Sequence, residues 1–167
     1  AIAEELSAAC HRRGIRYLHL DRGHHPFSIG LCRNTGVQRA HGEFISFQDV
    51  DLAAPAKVYE QIRNHLTDDL PLNHLEVIPC LYLTPAGSAL YAAGTPETAH
   101  DWLHAAFLEN LPDVVQMAAP ATSCLLARRH FYLAEGGVRE EFFGHGYEDF
   151  ELMNRLGHRA RKFHRSH

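Results

Sequence analysis

The sequence predicts an α/β fold in which helices flank one layered sheet. Segments with helical and with strand periodicity alternate along the whole chain of 167 residues, the pattern of an α/β domain. Neither an internal repeat nor a low-complexity segment interrupts this alternation. Hydrophobic residues make up 46% and charged residues 22% of the chain, a composition that supports a packed core and argues against disorder. We therefore expect a single domain spanning residues 1–167.

Helix and strand signals follow one another closely in the first half of the chain. The predicted elements are a helix over 2–13, a strand over 15–20, a helix from Ser28 to about His41, a strand over 43–48 and a helix beginning near Pro55. Gly14 and Gly42 are expected to end the first two helices, because glycine readily takes the left-handed conformation just beyond a helix. The side chain of Ser28 can cap the second helix by accepting a backbone N–H.

The second half continues the alternation. The predicted elements are a strand over 76–83, a helix over 97–109, a strand over 122–127, a helix through Phe131 to Glu135, a helix over 147–157 and a short strand in the basic tail. Gly136 and Gly137 stand where the helix through Phe131 should stop. The last helix carries Glu151 and Arg155 at the i,i+4 spacing of a modest surface ion pair.

Charge and hydropathy exclude several classes of function. The net charge is −4 and no basic tract is present, which argues against binding of nucleic acid through its phosphates. No apolar stretch approaches the ~18 residues of a membrane span, and the N-terminus does not resemble a signal peptide. These absences favour a cytoplasmic location.

The cysteines and histidines show no recognisable metal-binding spacing. The four cysteines contain no C-x-x-C pair, so we expect four reduced and mostly buried thiols. The 14 histidines include neither an H-E-x-x-H motif nor a zinc-finger spacing. The histidine count by itself therefore predicts no site.

Two carboxylates follow the strand predicted over 43–48. One residue separates Asp49 from Asp51, and a strand period of two would project both side chains to the same side. Like charges this close disfavour each other unless a cation or hydrogen-bond donors compensate them. The C-terminal ends of strands in open α/β sheets bind ligands, and hard oxygen ligands suit Mg²⁺ or Mn²⁺ shared with a phosphate. The pair indicates either a divalent-metal site or a polar turn in which Asp51 helps to cap the next helix.

An acidic residue also lies in the apolar arc of the last predicted helix. A helical wheel of residues 147–157 places Asp149 and Phe150 within the apolar arc and Glu148 on the polar side. A carboxylate on the buried side of a helix is costly unless it is paired, caps the helix or acts chemically. The positive end of the helix dipole suits a carboxylate that serves as a general base. Asp149 is therefore either a catalytic base or a group that caps or pairs within the core.

Arg33 is a third charged residue on an apolar face. In the second predicted helix it shares the arc of Cys32 and Val37. An arginine that points inward usually has a carboxylate or phosphate partner. Arg33 should therefore either bind a ligand or pair with Asp49 or Asp21 as part of the scaffold.

Two longer runs resemble one family of enzymes. Residues 33–51 read R-N-x-G-x-x-x-A-x-G-E-F-I-x-F-x-D-x-D, similar to the segment that leads into the D-x-D motif of GT-A glycosyltransferases. Residues 136–156 read G-G-V-R-E-x-F-x-G-H-G-x-E-D-F-x-L-x-x-R-L, which resembles the acceptor-side motif of the galactosyltransferase and chondroitin-polymerase group. Both runs occur in the family's order, and the resemblance covers about residues 15–164. It implies that residues 15–51 form the donor and metal side and residues 122–164 the acceptor side.

The resemblance implies a nucleotide-sugar-dependent transferase with a Rossmann-like GT-A fold and a divalent cation, Mn²⁺ or Mg²⁺. By position in the motif, Asp51 would bind the metal directly, and Asp49 would contact the nucleotide ribose or the metal. Arg33 and Asn34 would belong to the donor-binding segment. In the family a histidine beyond the last helix often completes the metal site, a role that would fall to His164 here.

On the acceptor side, the resemblance makes Asp149 the catalytic base and implies that Glu148 helps to hold the acceptor saccharide. Attack by the acceptor hydroxyl from the face opposite the nucleoside diphosphate would invert the anomeric centre. The resemblance to this group implies a UDP-sugar as the donor and a role in the synthesis of bacterial surface polysaccharide such as capsule. That setting implies hexosyl or hexosaminyl transfer at the inner face of the bacterial membrane.

The beginning of the chain departs from the family pattern. GT-A domains normally start with a strand, a helix and a strand that cradle the nucleotide base, and this sequence instead opens directly into helical periodicity at Ile2. We therefore expect a fragment that lacks its first strand-helix-strand and belongs to a longer polypeptide with other domains.

Two further interpretations come from different classes. A phosphohydrolase of the haloacid-dehalogenase type also uses a strand ending in D-x-D, but Ala53 stands where that class requires Thr or Val, and its later Gly-Asp pair is not found. Release of phosphate from a simple phosphomonoester would identify it. A saccharide-binding domain that keeps the fold without the chemistry is the other interpretation. It predicts saccharide binding that ignores both Mn²⁺ and nucleotide.

Overall fold

Helices and strands alternate in the structure, which confirms the predicted α/β class. The computed structural model describes residues 2–21, 23–67, 69–95, 98, 99, 101–103, 105, 109, 111–144, 146–160 and 163–165. The helices within these ranges include α1 (Ile2–Arg12), α2 (Ile29–Arg39), α3 (Ala56–His65), α4 (Pro85–Ala93), α5 (Arg129–Ala134) and α6 (Glu148–Arg159). The strands are β1 (Phe44–Gln48), β2 (Leu75–Leu83), β3 (Val115–Arg128) and β4 (Phe163–Arg165).

The described strands form one mixed sheet in the order β1-β3-β2-β4. The long β3 is antiparallel to both β1 and β2, and the short β4 is parallel to β2. In register, Phe47 lies opposite Leu125, and Leu125 lies opposite Val77. β1 therefore forms one edge of this sheet, and β4 forms the other.

The main hydrophobic core lies on one face of the sheet. Side chains alternate between the two faces of a strand, and the strand residues that share this face are Ile45, Phe47, Leu75, Val77, Leu125 and Ala127. The buried members include Val37, Ile45, Leu75, Val77, Leu125, Tyr132, Val138, Leu152 and Leu156. They come from α2, α5 and α6 as well as from the strands, so these three helices cover the face. The Asp49 end of β1 and the start of α6 are thereby held on the same side of the sheet.

The opposite face carries buried polar residues. His74 lies just before β2, and Glu76 lies two residues later on the same side of the chain. Both are almost completely buried, as is Arg128 at the end of β3. The guanidinium of Arg128 stacks on the ring of Phe44 at 4.5 Å and forms an ion pair with Glu43. The buried guanidinium of Arg128 therefore has a carboxylate partner.

Local signals predicted most of the helix boundaries. The Ser28 side chain accepts the backbone N–H of Leu31 at 3.2 Å, as expected of the N-cap of α2. The sequence analysis missed α4, although Thr84 caps it by accepting the N–H of Gly87 at 3.1 Å and Pro85 occupies its first turn. The Thr-Pro pair is an ordinary helix-start signal that could have identified this element.

Two predicted elements differ from the structure, and a third lies largely outside the described residues. The strand over 15–20 is wrong, because this described segment takes no regular structure and no described strand pairs with it. The strand over 122–127 begins earlier, at Val115, because β3 pairs with β2 along most of its length. The helix over 97–109 falls largely outside the described residues.

The four cysteines are free thiols, as predicted. They are less buried than expected, since Cys32 is exposed and the other three are half-buried. Burial raises the pKa of Cys80 to about 11, with a smaller contribution from the neighbouring Cys124. The Cys80 thiol is therefore a poor nucleophile at neutral pH.

Among the helices of the described part of the chain, none combines the length and the hydropathy that a membrane span requires.

Candidate active site

Arg33 joins the two predicted motifs. Its Nη2 lies 3.2 Å from Oδ1 of Asp49, and its Nη1 lies 3.1 Å from Oδ1 of Asp149. The guanidinium also lies over the ring of Phe47, 5.5 Å from its centre. The expected pairing with Asp49 is therefore present, together with a second pairing across 116 residues of sequence. We call this arrangement the Arg33 bridge.

Burial differs sharply between the three members of the Arg33 bridge. The Arg33 side chain is only 9% exposed, whereas those of Asp49 and Asp149 are 39% and 40% exposed. A buried guanidinium beneath two half-exposed carboxylates fixes their positions while leaving part of each oxygen surface open to a ligand. Arg33 belongs to α2 and its guanidinium lies over Phe47 of β1, so both elements support the arrangement.

The D-x-D motif lies on a turn that follows β1. The N–H of Leu52 donates to the carbonyl of Asp49 at 3.1 Å, and the Gln48 amide donates to the Leu52 carbonyl at 3.0 Å. The strand period therefore stops at Gln48, and the alternation that predicted a shared side for the two carboxylates does not apply. Asp51 is exposed on this turn. It does not cap α3, whose N-cap is Pro55 without a side-chain hydrogen bond.

Asn34 anchors α2 to the glycine-rich segment before α6. Its amide nitrogen donates to the carbonyl of Val138 at 2.8 Å and to Oε1 of Glu140 at 2.9 Å. Its amide oxygen accepts the hydroxyl of Tyr132 at 2.8 Å and the N–H of Val138 at 3.0 Å. These contacts, which we call the Asn34 network, use the full hydrogen-bonding capacity of the amide. They favour a structural role for Asn34, and its predicted contact with a nucleotide remains a prediction.

Tyr132 stays neutral within the Asn34 network. Burial raises the pKa of its phenol to about 12, and the N–H of Val138 and the charges of Arg33 and Arg155 oppose this only in part. The hydroxyl is therefore available as a donor to Asn34 at any physiological pH. Its ring also packs edge-on against Phe47 at 5.3 Å between ring centres, so the network adjoins the residue on which Arg33 rests.

Glycine is the only residue type that fits position 137. It has a φ of +64°, and a Cβ there would lie 2.3 Å from Oδ1 of Asn34 and 2.9 Å from Cε1 of Tyr132. Both the backbone conformation and the space therefore demand glycine. This explains one of the two adjacent glycines of the acceptor-side motif.

The start of α6 differs from the predicted helical wheel. Glu148 is 3% exposed and Phe150 is 77% exposed, so the expected sides of these two residues are wrong. The buried stripe runs through Glu148, Leu152 and Leu156, and Asp149 lies on its flank. The wheel failed because it ignored hydrogen bonding, since the Glu148 carboxylate accepts the N–H of Gly146 at 3.0 Å. A buried acid with a backbone donor is tolerated there.

The backbone is strained immediately before the acidic pair. Tyr147 has a φ of +66° and is the one non-glycine residue with a positive φ among the described residues. Such a conformation costs about 1–3 kcal/mol for a residue other than glycine. It also forms the N-cap position of α6 without a side-chain cap. The hydrogen bond from the Gly146 N–H to the Glu148 carboxylate holds this turn. Glu148 therefore positions the loop that presents Asp149.

The pair Glu151 and Arg155 is stronger than the surface ion pair predicted. Arg155 contacts both carboxylate oxygens of Glu151, at 2.7 and 2.9 Å. Its remaining donors reach the carbonyls of Glu135 and Gly137 at 2.5 and 2.6 Å. The hydrogen bond from Arg155 holds the pKa of the Glu151 carboxyl below its usual range. α6 is thereby clamped to the glycine turn that ends α5.

The backbone register does not bring His164 to the D-x-D turn. His164 pairs with Glu76, which lies opposite Leu126, and Leu126 lies opposite Ser46 in β1. Three strand spacings, roughly 14 Å, therefore separate His164 from β1. That separation does not support His164 as a ligand of an ion held by Asp49 and Asp51.

The structure thus brings together Arg33, Asp49 and Asp149, and the buried Glu148 precedes Asp149 in the chain. Sequence analysis missed the supporting aromatic residues. Phe47 was assigned only to a strand and Tyr132 only to a helix. Phe47 lies in β1, two residues before Asp49 on the following turn, and this closeness in sequence could have suggested that it adjoins the site.

Comparison with known proteins gives one family. The model of the glycosyltransferase like family 2 matches residues 1–166. No curated protein and no solved structure matches this chain.

Proposed function

This chain belongs to the glycosyltransferase like family 2, and on that basis we propose that it transfers a sugar from a UDP-sugar to a saccharide acceptor in a metal-dependent, inverting reaction. The family makes it a glycosyltransferase that uses a nucleotide-sugar donor and an acceptor. The UDP donor, the divalent cation, inversion, a hexose or hexosamine as the transferred sugar, and a role in surface polysaccharide such as capsule are our proposals. So is membership of the galactosyltransferase and chondroitin-polymerase group.

The Arg33 bridge is the observation that carries this proposal. A sugar transfer needs a group at the leaving diphosphate and a group at the attacking hydroxyl, on opposite sides of one anomeric carbon. Asp49 belongs to the motif expected on the donor side, and Asp149 belongs to the motif expected on the acceptor side. Their carboxylates meet on one guanidinium. This shared contact supports a single site to which both motifs contribute.

In the reaction we propose, Asp149 accepts the proton of the acceptor hydroxyl. The hydroxyl oxygen bonds to the anomeric carbon as the bond from that carbon to the phosphate oxygen breaks, and the electron pair leaves with the nucleoside diphosphate. Asp149 is suited to this task because its carboxylate is 40% exposed and fixed by Arg33. Glu148 is a positioning residue for this step, since it holds the turn that begins α6.

The residues of the turn after β1 fit a hard divalent cation. Asp49 and Asp51 supply carboxylate oxygens within four residues of chain, and both reach solvent, which is the donor chemistry that Mn²⁺ and Mg²⁺ prefer. A cation held there would neutralise the charge that develops on the leaving diphosphate. Arg33 lies beside Asp49 and adds a fixed positive charge to the same region.

Substitution of Arg33 by lysine tests the proposed site. We expect Arg33→Lys to lower UDP release from a UDP-sugar panel with saccharide acceptors about 10–100-fold, because a single ammonium cannot hold two carboxylates as the planar guanidinium does. Arg39→Lys is the matched control, since Arg39 is exposed in the last turn of the same helix. UDP release should require Mn²⁺ or Mg²⁺ in both the wild type and the control.

Equal turnover of Arg33→Lys and Arg39→Lys would contradict the proposed role of the Arg33 bridge. Saccharide binding without any turnover in the wild-type chain, unaffected by Mn²⁺ and UDP, would instead indicate a binding domain that lacks the chemistry.

A further inference from the structure

A second cluster of ligating side chains lies away from the Arg33 bridge, on the opposite face of the sheet. It consists of His65, His74 and Glu76, and their nearest ligand atoms all lie within 4.8 Å of one another. Oε2 of Glu76 is 3.0 Å from Nε2 of His65 and 3.5 Å from Nε2 of His74. Two ligands bound at about 2.1 Å in a tetrahedral site are roughly 3.4 Å apart. The cluster therefore has nearly the spacing of three ligands around one ion.

The fold explains how three distant-looking residues converge. His74 and Glu76 are separated by one residue at the start of β2, so the strand period places both on the same face. His65 is the last residue of α3, and its ring lies 6.1 Å from that of His74 between centres. The loop between them is held by Arg128, which donates to the carbonyls of Leu70 and Pro71. This is why sequence spacing alone gave no metal motif.

Burial makes the cluster costly without a compensating cation. The side chains of His74 and Glu76 are 2% and 6% exposed, whereas that of His65 is 50% exposed. A buried carboxylate requires a partner of opposite charge. The buried guanidinium of Arg128 on this face forms an ion pair with Glu43. His65 provides the side from which an ion and a water ligand could enter.

The orientation of the groups favours an ion over a simple hydrogen bond. Among the described residues, Oε2 of Glu76 receives no hydrogen bond of normal geometry, although Nε2 of His65 lies at only 3.0 Å. The 3.0 Å contact between these two atoms is therefore not a well-aligned hydrogen bond, and both atoms can serve as ligands of one ion. Two imidazoles and one carboxylate form a donor set that suits Zn²⁺ and related first-row ions.

We propose that His65, His74 and Glu76 bind one first-row transition-metal ion of the Zn²⁺ type, which fastens the C-terminal end of α3 to β2. The site is independent of the proposed transferase chemistry, since no residue is shared with the D-x-D turn or the Arg33 bridge. Its donor set also differs from that turn, where carboxylates alone favour Mn²⁺ or Mg²⁺.

Titration of the full chain with Zn²⁺ by calorimetry, and with Co²⁺ by visible absorption, tests this proposal. We expect one equivalent to bind, with the ligand-field bands of a tetrahedral or five-coordinate Co²⁺ ion. His65→Ala and Glu76→Gln should each weaken this binding at least about 100-fold, because changes in second-shell partners alone cost 10–100-fold. His65 is half-exposed at a helix end, so its alanine variant is expected to fold, which circular dichroism would verify.

His158→Ala is the matched control, because His158 is also an exposed histidine in the last turn of a helix. It should bind the ion as the wild type does. Wild-type affinity in His65→Ala, or equal losses in His65→Ala and His158→Ala, would overturn the proposal. So would the absence of a one-equivalent binding step in the wild type, since 14 histidines would then account for weak binding at scattered positions.

Discussion

Replacement of Asp149 by asparagine should lower turnover about 10²–10⁴-fold while leaving UDP binding intact. Asparagine preserves the shape of the side chain and can still accept a hydrogen bond from Arg33, but it cannot take a proton from the acceptor hydroxyl. The effect should appear in kcat for sugar transfer. The KM for the donor should change little, because Asp149 is placed on the acceptor side of the site.

Glu141→Gln is the control for Asp149→Asn. Glu141 is an exposed acid of the same segment and contacts only the exposed Arg139 among the described pairs, so its neutralisation should leave turnover near the wild-type value. Turnover of Asp149→Asn within a fewfold of wild type would exclude Asp149 as the base. A loss of UDP binding in that variant would instead assign Asp149 to the donor side.

Asn34→Asp should destabilise the fold by about 3–5 kcal/mol. The substitution keeps the volume and the oxygen that accepts from Tyr132 and Val138. It replaces the donating nitrogen by a second oxygen, which would face the Val138 carbonyl and the Glu140 carboxylate at 2.8–2.9 Å. Two favourable hydrogen bonds would become repulsive contacts in a buried position.

Thermal unfolding followed by circular dichroism would measure this loss, with an expected fall in Tm of roughly 10 °C. Asn154→Asp provides the same chemical change at an exposed helical position, where His158 is the one hydrogen-bond neighbour of the side chain among the described residues. It should shift Tm by at most about 2 °C. Similar Tm values for the two variants would show that the Asn34 network contributes little to stability.

Sequence periodicity located α6 but did not give its orientation. The apolar period located this helix within two residues at each end, because Leu152 and Leu156 dominate its buried side. It assigned Glu148 to solvent and Phe150 to the core, and both assignments are wrong. The Gly146 N–H that satisfies Glu148 comes from the preceding loop, and hydropathy carries no information about such a bond.

The composition of the candidate site could be predicted in part. Arg33 stood out because an arginine on an apolar arc needs an anionic partner, and Asp49 was one of the partners expected. The contact with Asp149 could not be derived from spacing, since it joins residues 116 positions apart. It depends on the packing of α2 and α6 on the same face of the sheet, which the Asn34 network and Gly137 hold together.

The strands at the edges were the least predictable elements. The segment 15–20 has strand-forming residues but no described strand beside it, and a strand is stable only with a hydrogen-bonded neighbour. β4 was expected as a strand, yet nothing in its sequence indicated that it would pair with β2 rather than lie near β1. That pairing places the backbone of His164 three strand spacings from β1.

Calorimetric titration of UDP into the wild-type chain and into Asp51→Ala, each with and without Mn²⁺, tests the central claim most directly. We predict binding of one UDP by the wild type only when Mn²⁺ is present, and a loss of that binding in Asp51→Ala. This result would assign a metal-dependent nucleotide site to the turn after β1. UDP binding of equal strength without Mn²⁺ or in Asp51→Ala, or no binding under any of the four conditions, would contradict a donor site built on the D-x-D motif.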